Sequence, residues 1–106
     1  MRVNLQLIGD FQQNEQELMD YTSQKVSAAL KNSRRHIKEV VVRVINTQNL
    51  ANVRGKKCSV HLLIPGQNPI QVKKHADNIL YAINSAIDIA SYKTRIRTRQ
   101  QAMLVA

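Results

Sequence analysis

The 106-residue sequence has no tryptophan, one phenylalanine and three tyrosines. So few aromatics exclude a site built on base-stacking platforms, which most readers of single-stranded nucleic acid use. A lone cysteine, Cys58, excludes an internal disulfide and suits a reducing cytosol. The three glycines are unclustered, so no glycine-rich loop is available to cradle phosphates. No apolar run approaches the ~20 residues of a membrane span, since Val40-Val41-Val42 ends at Arg43. Met1 to Gln6 has no apolar stretch of signal-peptide length. A soluble, cytoplasmic protein without a membrane partner is expected. Acid is scarce too: 7 Asp and Glu face 16 Lys and Arg, a formal charge of +9.

What remains is apolar enough to fold, at 43% hydrophobic residues, and long enough for one domain over 1–106. The charge is segregated. Residues 1–53 carry seven positive and five negative side chains, whereas residues 54–106 carry nine and two. A charge of +9 exceeds the ~2–8 that keeps a small domain soluble and favours a polyanionic partner.

Val3, Leu5 and Leu7 alternate with polar residues and predict a strand ending at Gly9. Asn14 reads as an N-cap, with Glu17 completing a capping box, and the helix it opens is expected to run to about Lys31. Glu39 to Ile45 is β-branched, with Val40, Val42 and Val44 on one face and Val41, Arg43 and Ile45 on the other. Asn46 to Arg54 is a polar loop closing at Gly55. Lys57 to Ile64 turns Cys58, Val60 and Leu62 inward and Lys57, Ser59 and His61 outward. Pro65-Gly66 leads into a fourth strand, antiparallel to the third, on which Ile70, Val72 and Lys74 alternate with Gln71, Lys73 and His75. Asp77 is the expected cap of a second helix carrying Ile79, Leu80, Ile83, Ile87 and Ala90. The order β-α-β-β-β-α predicts an α+β sandwich, a four-stranded sheet with two helices packed on one face. Tyr92 to Arg99 alternates with period two, so the helix is expected to fray there and order on binding anions; residues 100–106 are expected to be a flexible tail.

Enzyme chemistry has little to work with. The acids are scattered or cap helix starts, and Cys58 lies on the inward face as a small apolar residue. His61 and His75 can approach across the hairpin, but Lys57 and Lys73 beside them repel a cation, so neither a metal nor another cofactor is expected. The cations form three groups: Lys25, Lys31, Arg34, Arg35 and Lys38 on and after helix one; Arg54, Lys56, Lys57, Lys73 and Lys74 around the hairpin; and Lys93, Arg95, Arg97 and Arg99 on helix two. With the helices antiparallel or nearly so, the first and third groups border one groove. Such a surface holds phosphates by charge and counterion release, as a reader of folded RNA does.

These features coincide with a family pattern. Leu7-Ile8-Gly9, the spacing of Leu18, Tyr21 and Lys25-Val26, Ile37 ahead of Val40-Val41-Val42, the turn after Ile64, and Ala82-Ile83-Asn84 followed by Ile87-Asp88 resemble the ribosome hibernation-promoting factor and ribosome-associated inhibitor family, some members of which are labelled sigma-factor modulation proteins. The resemblance covers about residues 3–99. It implies a translation inhibitor that binds ribosomal RNA of the small ribosomal subunit, in the messenger and transfer RNA channel, under stress or in stationary phase. It further implies that Lys25 contacts that RNA, and that the chain is of the short type and monomeric off the ribosome. Departures are Leu80 where the family has tyrosine, Asn84 where it has aspartate, and Ile89 and Tyr92 where it is basic. The alternative reading is a general double-stranded RNA-binding module, for which Lys73-Lys74-x-Ala76 before a helix speaks; those modules open with a helix, whereas this chain opens with a strand.

Overall fold

Alternation of apolar and polar residues builds four strands, β1 (Arg2–Ile8), β2 (Glu39–Asn46), β3 (Lys56–Leu63) and β4 (Ile70–Ala76). Helices α1 (Glu15–Ala29) and α2 (Ile79–Val105) complete the expected order, with a 3-10 helix at Lys31–His36 between α1 and β2. The computed structural model describes residues 1–46 and 55–105, and side chains of 1–46 and 55–100. The expected loop therefore lies outside the described residues from 47 to 54.

The sheet order is β1-β2-β3-β4, with β1 parallel to β2 and the other neighbours antiparallel. Its centre is three facing pairs, Val40 with Leu62, Val42 with Val60 and Val44 with Cys58, none more than 1% exposed. Both helices cover this one face. On α2, Ala82, Ala86 and Ala90 interleave with Ile79, Ile83 and Ile87, all buried, and the small residues let the helix lie close on β3 and β4. Leu18, Val26 and Leu30 anchor α1.

Strand direction sets helix direction. Because α1 links the parallel pair β1 and β2, it runs opposite to both. Two antiparallel steps point β4 the same way as β2, so α2, returning over the sheet, runs alongside α1 rather than against it. Two contacts trace the shared direction: Lys25 meets Asp88, and further along both helices Ser91 donates to the Ala29 carbonyl. The antiparallel arrangement expected from sequence is therefore corrected to a parallel one.

Helix ends differ from expectation for local reasons. Asn14 caps α1 by accepting from the Gln16 and Glu17 backbone N–H groups at 2.8 and 3.2 Å, but among the described residues the Asn14 N–H does not donate to the Glu17 carboxylate in return. The helix stops at Ala29 rather than Lys31 and tightens into the 3-10 turn, in which the Ser33 N–H bonds the Leu30 carbonyl. Asn78, not Asp77, caps α2: its side-chain oxygen accepts from the Tyr81 N–H at 3.1 Å and its carbonyl from the Ala82 N–H. Gly55 makes room for β4, since a Cβ there would sit 2.7 Å from the Ala76 carbonyl oxygen.

The stretch 92–99 is continuous helix, and the backbone of 100–105 extends it. Thr94 and Thr98 hydroxyls donate to the carbonyls of Ala90 and Thr94, which turns β-branched residues that favour strands into members of the helix. Ser91 and Thr94 are buried and Arg97 half-buried, so the residues that meet the body recur every three, a helical spacing rather than the period of two.

Thr22 is fully buried and its hydroxyl has no partner among the described residues. Thr22→Val is expected to raise stability by about 1 kcal/mol, because it removes an unsatisfied polar atom; Ile83→Ala is expected to lower it by ~2–5 kcal/mol. Urea unfolding measures both. Burial also pushes the Cys58 thiol up to about 12. Between its ordinary range and that value the unfolded thiol ionises while the folded one stays protonated, so this contribution to stability falls as pH rises. A thiol-labelling reagent at neutral pH is accordingly expected to modify Cys58 only in denaturant.

Candidate nucleic-acid interface

Parallel helices put their later turns at the same end of the sheet. The 3-10 turn follows α1 directly and holds Lys31, Arg34 and Arg35 exposed, with buried Ser33 and Ile37 fastening it to the body. Its end abuts the second half of α2, where His36 and Ile37 share a small cleft with Thr94, Arg97 and Thr98. The Lys38 N–H bonds the Leu63 carbonyl and delivers the chain to β2, keeping Lys38 at that end also. Lys31, Arg34 and Arg35 of the first group thus lie at the same end of the body as the later turns of α2, by a helix orientation opposite to the one expected. The negative ends of the backbone dipoles point the same way, so the α1 terminus itself favours the cations beyond it.

The third group is divided. Residues two apart on a helix point about 200° apart, so Lys93 and Arg97 occupy one flank of α2 and Arg95 and Arg99 another. Lys93 donates to the Gln71 carbonyl at 3.4 Å and Arg97 to the Asn68 carbonyl, both on the approach to β4 and its edge. These two cations cover backbone acceptors of an edge strand, which blunts that edge against pairing with another chain. Arg95 and Arg99 are exposed, on the flank that carries Asp88 and Tyr92. Tyr92 is 58% exposed there, a stacking surface that aromatic poverty had led the sequence reading to discount. Lys25 is not isolated: its ammonium lies 2.8 Å from the Asp88 carboxylate.

The hairpin group is not a single patch. Lys56 and Lys74 share the helix-covered side with Cys58, while Lys57 and Lys73 point to the uncovered side. Lys56 lines a polar cavity of about 610 Å³ with Asp10, Asp77 and Asn78 at the end where the helices begin, remote from the 3-10 turn. Arg54 lies outside the described residues. His61 and His75 do not meet across the hairpin, because His61 faces Gln71 and His75 faces Lys57, four residues along β3. That offset is about 13 Å of strand. Sequence reading passed over Arg43, which is exposed on the uncovered side; its outward parity between Val42 and Val44 was the available signal.

No family model matches the sequence, and no curated protein is similar to it. Among solved structures, the N-terminal domain of Protein Y from Thermus thermophilus superposes with a TM-score of 0.63 at 16% identity, over 88% of this chain and 94% of that one. A ribosomal subunit interface protein from Coxiella burnetii superposes with a TM-score of 0.64, also at 16% identity, over 96% of this chain and 99% of that one. At this identity the likeness is one of fold, and it spans nearly all of both chains.

The division on α2 is testable by stability alone. Lys93→Gln with Arg97→Gln is expected to lower unfolding free energy by about 1 kcal/mol through loss of two charge-assisted bonds discounted for exposure. Arg95→Gln with Arg99→Gln is expected to stay within ~0.5 kcal/mol of the parent. Urea unfolding of the two double variants distinguishes them.

Proposed function

We propose that this chain binds the small ribosomal subunit through phosphates of its ribosomal RNA and silences translation from the messenger and transfer RNA channel when growth slows. The observation that carries the reading is the gathering of Lys31, Arg34, Arg35, Arg95 and Arg99 at one end of the body by two parallel helices. The fold it shares with a ribosomal subunit interface protein supports a ribosomal partner, and the family resemblance in the sequence points the same way. Lys25 belongs to the surface, with Asp88 giving up its place to a phosphate on binding. In this reading the protein is a cytoplasmic binding factor rather than an enzyme, and a monomer off the ribosome. Lys93, Arg97, Lys73, Lys74 and Lys56 are secondary, because two of them hold β4 and the others lie elsewhere on the body.

Such a contact is electrostatic and therefore sensitive to salt. A protein neutralising about six phosphates loses roughly a thousandfold in affinity between 50 and 200 mM salt. In a sucrose gradient at low salt the protein is expected to travel with small subunits and whole ribosomes, and to return to the top of the gradient at moderate salt. Arg34→Glu, Arg35→Glu, Arg95→Glu and Arg99→Glu together are expected to abolish comigration while leaving the circular dichroism melt unchanged. Protein that stays at the top at low salt overturns the proposal. Equal affinity for any RNA duplex replaces it with the general double-stranded RNA module.

A further inference from the structure

The face of the sheet that no helix covers carries its own ordered set of charges. Registers place Gln6, Arg43, Ser59 and Lys73 in one row across the four strands, and Ile8, Ile45, Lys57 and His75 in the next. Arg43 and Lys73 thus stand two strands apart, about 10 Å, with Lys57 about 7 Å along from the residue between them. That residue is Ser59, short enough to leave a shallow concavity of about 420 Å³ bordered by all three cations and His61. The Gln6 side-chain oxygen accepts from Arg43 Nε at 3.1 Å, which fixes the guanidinium and leaves its terminal N–H groups outside that bond. The outward carboxylate of the sheet, Glu39, sits at the other end of β2 and is engaged by Arg2 at 3.5 Å. No carboxylate projects from the rows that hold Arg43, Lys57 and Lys73, and the ring there is the His75 imidazole.

We propose that this uncovered face is a second RNA-binding surface, taking the phosphate backbone of a duplex segment on Arg43, Lys57 and Lys73. The inference rests on the RNA-binding reading above, and it adds a contact on the opposite side of the sheet from the helices. Charge complementarity selects the occupant. Three cations without a local counterion fit a partner presenting a charge every ~1.7 Å of its axis. The rings on this face are the small imidazoles of His61 and His75, with no Phe, Tyr or Trp, which favours a backbone over splayed bases held on large rings. A protein that grips folded RNA on both sides acts as a wedge between two of its segments.

The test uses the full chain and its salt dependence. Binding of a 16-base-pair RNA duplex and of small subunits is followed between 50 and 200 mM salt for the parent, for Arg43→Gln/Lys57→Gln/Lys73→Gln, and for Arg95→Gln/Arg99→Gln. Loss of three phosphate contacts lowers the slope of log affinity against log salt by about 2.7, so the parent's fall over this range becomes about fortyfold shallower. That change in the sheet variant, with an unaltered thermal melt, is the expected result. An unchanged slope in the sheet variant alongside a reduced one in the helix variant overturns this inference and leaves the helix-end reading standing. Failure of the parent to bind either RNA overturns both. A slope change seen with a single strand but not with the duplex also overturns it.

Discussion

Because β1 and β2 lie parallel, the chain between them must travel back along the sheet, and α1 is that return path. The two antiparallel steps that follow point β4 the same way, so α2 must return in the same sense as α1. Everything distinctive about the surface descends from this. Parallel helices collect their starts at one end, with Asp10, Asp77 and the caps Asn14 and Asn78, and their later turns at the other, with the 3-10 cations. Ser91 holds the arrangement in register by donating to the carbonyl of Ala29, which at the end of α1 has no partner within its own helix.

Charge on this body is organised by what each cation already touches. Lys93 and Arg97 are tied to carbonyls at the β4 side, and Lys25 to Asp88, so part of the net charge is committed to structure. Among the described residues, Arg34, Arg35, Arg95 and Arg99 have no such bond, nor do Lys57 and Lys73 on the sheet. A side chain tied to a backbone carbonyl must surrender that bond to reach a phosphate, whereas an exposed one gives up only water and mobile ions. In the proposed reading, affinity for a polyanion comes chiefly from the uncommitted set, which lies on both sides of the sheet.

The two surfaces also differ in shape. At the helix ends, exposed Tyr92 stands among arginines on a protruding rod, a geometry open to grooves and to loops with accessible bases. The uncovered sheet is shallow and carries cations and imidazoles but no Phe, Tyr or Trp in its concavity. If both proposed surfaces bind at once, the partner is large and folded rather than a short strand, because only a folded polyanion presents phosphates to both.

Much of the fold was legible in the sequence. Val40, Val42 and Val44, and Cys58, Val60 and Leu62, declare their strands and their buried side by alternation, because one face of the sheet is dry and the other wet. Asn14 announces α1, and the segregation of charge is read directly from the chain. Tertiary structure alone decided that the helices run parallel, that Asn78 rather than Asp77 caps α2, and that Thr94 to Arg99 continues it. It also decided which cations are spent on Gln71 and Asn68 and which, with Arg43, remain exposed. The reason is physical: periodicity records which side of an element meets water, a property of near neighbours in the chain. Direction and pairing are set by strands and carbonyls distant in sequence, and they exist only once the sheet has closed.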